Sequence, residues 1–283
     1  MQDISFIDKT FEITKTNLYH LSIQISLNGL CYTVLDIPKG KYVLLKVHHF
    51  FLKRPRLLFK HVNEAMELDD IFNHEFKSTE ILYATRKFTL VPQSFYSKVS
   101  AEKYIWFNNS EERGYVIGKN LFPKAGCWCI FDIPQNLSDF LSSKFPKVTL
   151  KHNFFPLVEG TLKRNRAYAG QCQVHLNFFR DHFEMIVILG SSLVFCNMFS
   201  YITDRDILYH VLLVFEQLKL SSETTELIVH GHLPQVSPVF HLFKKYVKQT
   251  SFARLDTTFQ YSYTFAQLPE HYYSSILSAY KCE

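Results

Sequence analysis

The sequence predicts an α/β chain made of two copies of one unit, each a mixed five-stranded sheet with helices on both faces. Three observations predict it. Residues 172–233 read as three consecutive strands, an amphipathic helix and a closing strand, and a weaker copy of that order starts near Leu21. First strands at Leu21 and Gln173, helices at Leu57 and Asp204, and closing strands at Glu80 and Glu226 are offset by 152, 147 and 146 residues. Near-constant offsets across three landmarks mark a duplication, although the halves share little sequence. The domains are expected at 1–166 and 167–283.

In the second copy, residues 173–179 and 182–189 are runs of β-branched, aromatic and aliphatic side chains broken by Arg180-Asp181, the pattern of a hairpin. Gly190 marks a second turn, and 192–199 form the third strand. Thr203 or Asp204 can accept the free amide protons at the start of a helix. Ile207, Val211, Val214, Phe215 and Leu218 then recur at three- and four-residue spacing, one apolar face over about four turns. Residues 227–229, followed by Gly231 and Pro234, read as a buried parallel strand reached by the helix crossover. A helix at 236–248, a strand at 251–255, a strand-like run at 259–265 and a helix after Pro269 complete the unit.

The first copy has the same order after a short leader. Residues 21–26 (LSIQIS) alternate apolar and polar side chains, and Asn28-Gly29 is a turn signal because both residues accept positive φ. Strands come next at 30–37 and 42–50, with Pro38-Lys39-Gly40 between them. A helical pattern runs over 57–72 through Leu58, Val62, Met66 and Phe72, and 79–85 close the unit. Beyond it the sequence predicts a helix at 94–107, a strand at 126–133, a helix at 137–144 and a strand at 147–153. Residues 157–171, basic and poor in strand formers, hold a helix and then the link between the halves.

Composition narrows the class. At 283 residues, 47% hydrophobic and 20% charged, the chain can bury a sizeable core. No window is apolar over the roughly 18 residues that a membrane helix needs, and the start has no basic patch followed by an apolar run, so a cytoplasmic protein is expected. Six cysteines are scattered, three of them in apolar strand-like runs, and Cys127-Trp128-Cys129 has the wrong spacing for redox or zinc patterns. A net charge of +5 names no partner. The clusters Lys53-Arg54-Pro55-Arg56 and Lys163-Arg164-Asn165-Arg166 could contact phosphates, or lie in solvated surface or at a helix C-terminus.

Two consecutive copies of an antiparallel three-strand meander, a helix crossover and a parallel strand are the arrangement of the ribonuclease-H-like, actin-like ATPase fold. On Leu21-Ser22-Ile23-Gln24-Ile25-Ser26, Cys196-Asn197-Met198-Phe199, and Asp206-Ile207-Leu208-Tyr209 leading to Phe215-Glu216-Gln217-Leu218, the chain resembles an uncharacterised bacterial family known only as a domain of unknown function. Its second half is similar to the actin-like proteins of type IV pilus and type II secretion assemblies. The resemblance implies fold rather than activity. In active members, amides of the first hairpin turn of each domain hold ATP phosphates, with an Asp positioning hydrated magnesium and a Gly admitting the backbone. Here the first turn supplies Ser26, Asn28 and Gly29 without a carboxylate, the second supplies Asp181 without a glycine, and the adenosine strand end keeps only Gly231 between His230 and His232. These five residues, Ser26, Asn28, Gly29, Asp181 and Gly231, are the candidate ATP contacts of a degenerate cleft. No catalytic residue and no metal ligand is assigned.

Other chemistries find less support. The first strand lacks the carboxylate of a two-metal nuclease. His230 and His232, two apart on a strand, could chelate from one face, whereas adjacent His48 and His49 could not. Ser191 and Ser192 lack a nucleophile-elbow pattern. With 27 Phe and 16 Tyr the core is aromatic, and Tyr261, Tyr263, Phe265, His271, Tyr272, Tyr273 and Tyr280 crowd the C-terminal region as a candidate protein-binding surface. The expected function is a non-catalytic scaffold that binds another protein. A weak ATP-binding protein is the alternative, and an RNA-associated protein using the basic clusters is the third reading.

Overall fold

A computed structural model describes residues 3–50, 52–110, 112–164 and 171–282. It divides into two compact units: Met1–Phe155 with Asp256–Gln267 and Ala279–Glu283, and Pro156–Leu255 with Leu268–Ser278. The expected cut between 166 and 167 lies outside the described residues.

The first unit opens with β1 (Ile4–Ile7) and the meander β2 (Tyr19–Ser26), β3 (Gly29–Asp36) and β4 (Lys41–His49). Leu21, Ile23 and Ile25 are fully buried, while the alternate residues His20 and Ser22 are buried polar groups, so β2 separates an apolar face from a polar one. Helix α1 (Leu58–Glu67) buries Leu58, Val62, Ala65 and Met66, the expected face. It stops short of the expected residue 72. The Asp69 carboxylate accepts the Ile71 amide at 3.3 Å and starts a separate 3-10 turn, Asp70–Asn73, which buries Ile71 and Phe72. The closing strand β5 (Ser78–Tyr83) pairs with β2 in parallel, His20 opposite Ser78 through Ile25 opposite Tyr83.

Beyond β5 the chain departs from the expected order. Residues 88–92 form β6 (Phe88–Pro92), and the expected helix over 94–107 resolves into two short 3-10 turns followed by α2 (Ala101–Asn108). Strand β7 (Tyr115–Phe122) was not expected, and β8 (Cys127–Pro134) was. Together they make a separate antiparallel sheet of order β6-β8-β7. Then come α3 (Gln135–Lys144), β9 (Leu150–His152) and α4 (Phe154–Arg164). The main sheet of this unit has seven strands rather than five, in the order β1-β4-β3-β2-β5-β9, with a further strand on β4. That strand is β15 (Gln260–Tyr261), so the strand-like run near 259–265 joins the first unit's sheet, not the second's.

The second unit matches expectation closely. Its strands β10 (Cys172–Phe178), β11 (His182–Leu189) and β12 (Ser192–Ser200) form the meander, and α5 (Asp204–Gln217) crosses to β13 (Glu226–Gly231), which pairs in parallel with β10. After α6 (Pro238–Tyr246), β14 (Gln249–Phe252) completes a five-stranded sheet of order β12-β11-β10-β13-β14. Val174, Leu176 and Phe178 of β10, Phe183, Met185 and Val187 of β11, and the buried face of α5 and α6 form one core. On the other face, α7 (Ser274–Leu277) reaches β13 through a Ser274–His230 hydrogen bond.

Helix α5 starts as the sequence implies. Thr203 accepts the Asp206 amide, and the Asp206 carboxylate accepts the Thr203 amide at 2.8 Å, a reciprocal capping box. Thr203→Ala is expected to destabilise the chain by about 1 kcal/mol, read as a lower urea midpoint with an unchanged slope.

Candidate functional site

In the first unit, Ser26, Asn28 and Gly29 sit together in the two-residue turn between β2 and β3. The Ser26 hydroxyl accepts the Asn28 amide at 3.2 Å and donates to the Gly29 carbonyl at 3.4 Å. The turn carbonyls are also taken: Phe50 N donates to Asn28 O at 2.8 Å and Leu52 N to Leu27 O at 3.3 Å. Neither Asn28 nor Gly29 has positive φ, against the expectation from the Asn-Gly pair. The central positions are Leu27 and Asn28, with Gly29 already paired in β3. Its glycine is required by packing instead, since a Cβ there would stand 2.3 Å from the His48 carbonyl oxygen of β4.

In the second unit, Asp181 and Gly231 lie at the same end of the sheet. Gly231 is in register with Phe178, the last residue of β10, and Asp181 is in the turn beyond it. That turn is closed by Phe179 N donating to His182 O at 2.9 Å, and its Phe179 carbonyl accepts the Tyr201 hydroxyl at 2.6 Å. The Asp181 carboxylate, half exposed, meets His182 Nδ1 at 2.9 Å, and the His182 ring stacks flat on Phe179 at 4.6 Å. Gly231 has φ of 76°, and a Cβ would lie 2.2 Å from Phe178 O and 2.6 Å from Phe178 N. Its amide donates to His271 O at 2.8 Å. The next two amides are engaged as well, His232 N with Phe178 O at 2.8 Å and Leu233 N with Gly231 O at 2.9 Å.

His230 and His232 do not share a face, because the left-handed kink at Gly231 ends the strand between them. His230 is buried, with Nε2 3.0 Å from His175 Nδ1 and Nδ1 2.9 Å from Ser274 Oγ. His232 packs between Tyr272 and Tyr273. Among the described residues no group of three or more His, Cys, Asp or Glu is placed to hold a metal ion. The basic cluster at Lys53, Arg54 and Arg56 is exposed and precedes α1 rather than ending a helix, while Lys163 and Arg164 do fall in the last turn of α4. Asn165 and Arg166 lie outside the described residues. Most of the C-terminal aromatic residues are packed: Phe265, His271 and Tyr273 are buried, Tyr261 stacks on Tyr42 at 5.5 Å, and Tyr263 is exposed.

A feature missed in the sequence recurs in both units: a largely buried polar seam along the first meander strand, β2 in the first unit and β10 in the second. In the first unit His20 meets Ser78 at 2.7 Å and Ser22 at 3.0 Å, Gln24 donates to Asn153 at 2.6 Å, and Lys151 pairs with the buried Glu80 at 2.7 Å. In the second, Gln173 donates to Glu226 at 2.7 Å, His175 meets His230, and Asn177 donates to the buried Glu184 at 2.8 Å. The signal was available as period-two alternation, His20/Ser22/Gln24 and Gln173/His175/Asn177 set between apolar neighbours.

Residues 8–250 match the family described as "Protein of unknown function (DUF3822)". The chain belongs to the DUF3822 family. No curated protein sequence matches this DUF3822 chain. Among solved structures, it is similar to a Bacteroides thetaiotaomicron protein with an actin-like ATPase fold and unknown function, at 20% identity and TM-score 0.77, covering 86% of this chain and 94% of that one. It is similar to a chain of the PilM-PilN type IV pilus biogenesis complex, at 8% identity and TM-score 0.60, covering 93% and 97%. It is also similar to the ethanolamine utilization protein EutJ from Carboxydothermus hydrogenoformans, at 10% identity and TM-score 0.50, covering 96% and 91%. The DUF3822 chain therefore has the actin-like ATPase fold. No helix among the described residues is long and apolar enough to cross a membrane.

Gly231→Ala combines a left-handed φ with a backbone clash and is expected to cost more than about 2 kcal/mol, measured by chemical denaturation. The buried histidines give a pH dependence. Burial holds them neutral: His20 and His152 fall from 6.5 to about 4, His230 to about 3, and His175 also falls, with burial the leading cause in each case. Their unfolded forms take up protons first, so the stability they contribute is full above pH 6.5 and is lost as pH falls toward 4. Tm is therefore expected to fall as pH drops below 6.5 toward 4, measured by thermal unfolding across that range.

Proposed function

We propose that this protein is a non-catalytic member of the actin-like fold that works by binding another protein, with a cleft that neither hydrolyses nor tightly holds ATP. The observation that carries the reading is the strand end at Gly231. Three successive amides there, of Gly231, His232 and Leu233, are spent on partners within the unit. A backbone that cradles phosphate or nucleoside needs such donors directed at the ligand. The turn holding Ser26, Asn28 and Gly29 supports the same reading, because it offers no carboxylate for hydrated magnesium and its glycine is explained by the His48 carbonyl. The Asp181 carboxylate is already engaged by His182.

Support for a protein partner comes from the first unit. Phe95 is 74% exposed, Val99 94% and Phe107 86%, three large apolar side chains within the segment that carries α2. Large apolar side chains left exposed this close together in the sequence are candidates for contact with a partner. The neighbour from a two-protein pilus complex agrees with a fold that docks proteins. Buried thiols at Cys31, Cys127 and Cys129 suit a reducing compartment, and we place the protein in the cytoplasm on that ground.

The test is thermal unfolding with and without millimolar ATP and magnesium, alongside phosphate release. A ligand bound only by the native state at a hundred times its Kd adds about 2.7 kcal/mol, so bound nucleotide cannot hide. The expected result is no shift and no turnover. An upward shift lost in Asp181→Asn would replace this reading with an ATP-binding protein. A partner recovered with the wild type and lost with Phe95→Asp or Phe107→Asp, at unchanged Tm, is the positive outcome.

A further inference from the structure

We propose that the exposed apolar patch at α2 docks an amphipathic helix of a partner protein, one whose apolar stripe is flanked by acidic residues. This rests on the reading above that the protein works by binding another protein, and it names what that partner presents. Phe95, Val99 and Phe107 project from a backbone that is tied down. The Tyr104 hydroxyl of α2 donates to the Phe95 carbonyl at 2.6 Å and accepts the Ser97 amide at 3.2 Å, which fastens the turn carrying Phe95 to the helix. Beneath, Tyr96 stacks on Trp128 at 4.4 Å, and the fully buried Ile105 packs with Val91 and Ile130 of the β6-β8-β7 sheet. The inner side chains of the segment are used in packing, and the three outer ones are left to solvent.

Charge around the patch selects the partner. Among the described residues from Phe88 to Pro134, the exposed basic side chains are Lys98, Lys103, Arg113 and Lys119, and the exposed acids are Glu102 and Glu112. Glu112 already pairs with Lys87 at 2.5 Å, which leaves Glu102 to offset the cations. Three of those cations stand on the patch's own elements. Lys98 adjoins Val99, and Lys103 and Phe107, four apart on α2, share a helix face. Lys119 lies opposite Ile130 in the sheet, on the face against which Ile105 of α2 packs. An apolar centre rimmed by uncompensated cations is complementary to an apolar stripe rimmed by Asp and Glu.

The partner's secondary structure follows from the backbone of the patch. The Tyr96 and Ser100 amides donate to the Gln93 and Ser97 carbonyls, and the Ser97 amide to Tyr104, so the patch offers side chains and no strand ladder. A docking face made of side chains suits a partner whose own backbone groups are already paired, as a helix's are. The eight residues of α2 span about 12 Å, room for about two turns of such a helix with apolar anchors at i, i+3 or i+4, and i+7. Val99, the most exposed of the three at 94%, has no π-face on which a nucleic-acid base could stack, so single-stranded RNA fits the patch less well.

The experiment selects phage-displayed random peptides of roughly 16 residues, long enough to form a helix when bound, on the immobilised full chain. The peptides recovered are expected to carry apolar residues at helical spacing, with Asp and Glu outnumbering Lys and Arg. Their synthetic forms should bind about tenfold more weakly to Val99→Asp or Phe107→Asp at unchanged Tm, and to the double variant Lys98→Glu/Lys103→Glu. Affinity should also fall as salt is raised, because exposed charges are screened. Recovered peptides that are basic, that lack helical spacing, or that bind Phe107→Asp as well as the wild type overturn this inference and leave the protein-binding reading standing. A library that yields nothing above the Phe107→Asp background overturns it too. Phosphatidylserine vesicles or a single-stranded uridine oligomer, bound by the wild type and released by Phe107→Asp, would assign the patch to a membrane or to RNA. Either result overturns the inference and also removes the patch as support for a protein partner.

Discussion

The main sheet of each unit is organised by the need to satisfy a line of polar side chains, largely buried, on one face of its first meander strand, β2 or β10. A buried polar group without a partner costs a few kcal/mol, so the neighbours of these residues are not free to vary. In the first unit the line runs from His20 through Ser22 to Gln24, and its partners come from β5 and from Asn153 just past β9. In the second it runs from Gln173 through His175 to Asn177, with partners on β13, β11 and α7. The parallel pairing of first and closing strands puts Glu226 beside Gln173 and Ser78 beside His20, in reach of their partners. A one-residue slip would turn every one of these groups into the apolar layer. The seam thus fixes register as well as contributing hydrogen bonds.

That constraint also explains why the second unit was so legible. Its strands β10 and β11 are runs of β-branched, aromatic and aliphatic residues that are largely buried, and its helix carries both its cap and its apolar stripe in the sequence, so local signals and tertiary packing agree. The first unit was harder for physical reasons. Strand β1 is four residues long and exists through its pairing with β4, which no local pattern reveals. Strand β7 has only partial burial along most of its length, so Tyr115 to Phe122 shows no clear apolar face. The expected helix at 94–107 fails because the backbone is extended at Tyr96 and Ser97, which leaves two 3-10 turns before α2.

The candidate site was legible in position and ambiguous in meaning. Gly29 and Gly231 were picked because glycine lets a backbone approach something closely, and in both cases something does approach. At Gly29 it is the His48 carbonyl, and at Gly231 it is the Phe178 backbone. A sequence records that a Cβ is excluded without recording whether a ligand or the protein's own chain excludes it. The histidines show the converse problem. His230 and His232 looked equivalent by spacing, yet one closes a buried hydrogen-bonded pair and the other packs against tyrosines, since the backbone reverses its hand between them.

Duplication makes the two copies informative about each other. Both keep the meander, the crossover helix, the parallel closing strand and the polar seam, which are the features that a stable sheet of this topology requires. They differ where stability does not dictate the answer. The first copy adds a separate three-stranded sheet and closes the edge of its meander with β1 and β15. In the second, among the described residues, β12 pairs with β11, and its Phe195 and Phe199 pack against the core of the unit. Phe195 and Phe199 are apolar because the core of their own unit takes them up, just as Gly29 and Gly231 are glycines because their own chain approaches them.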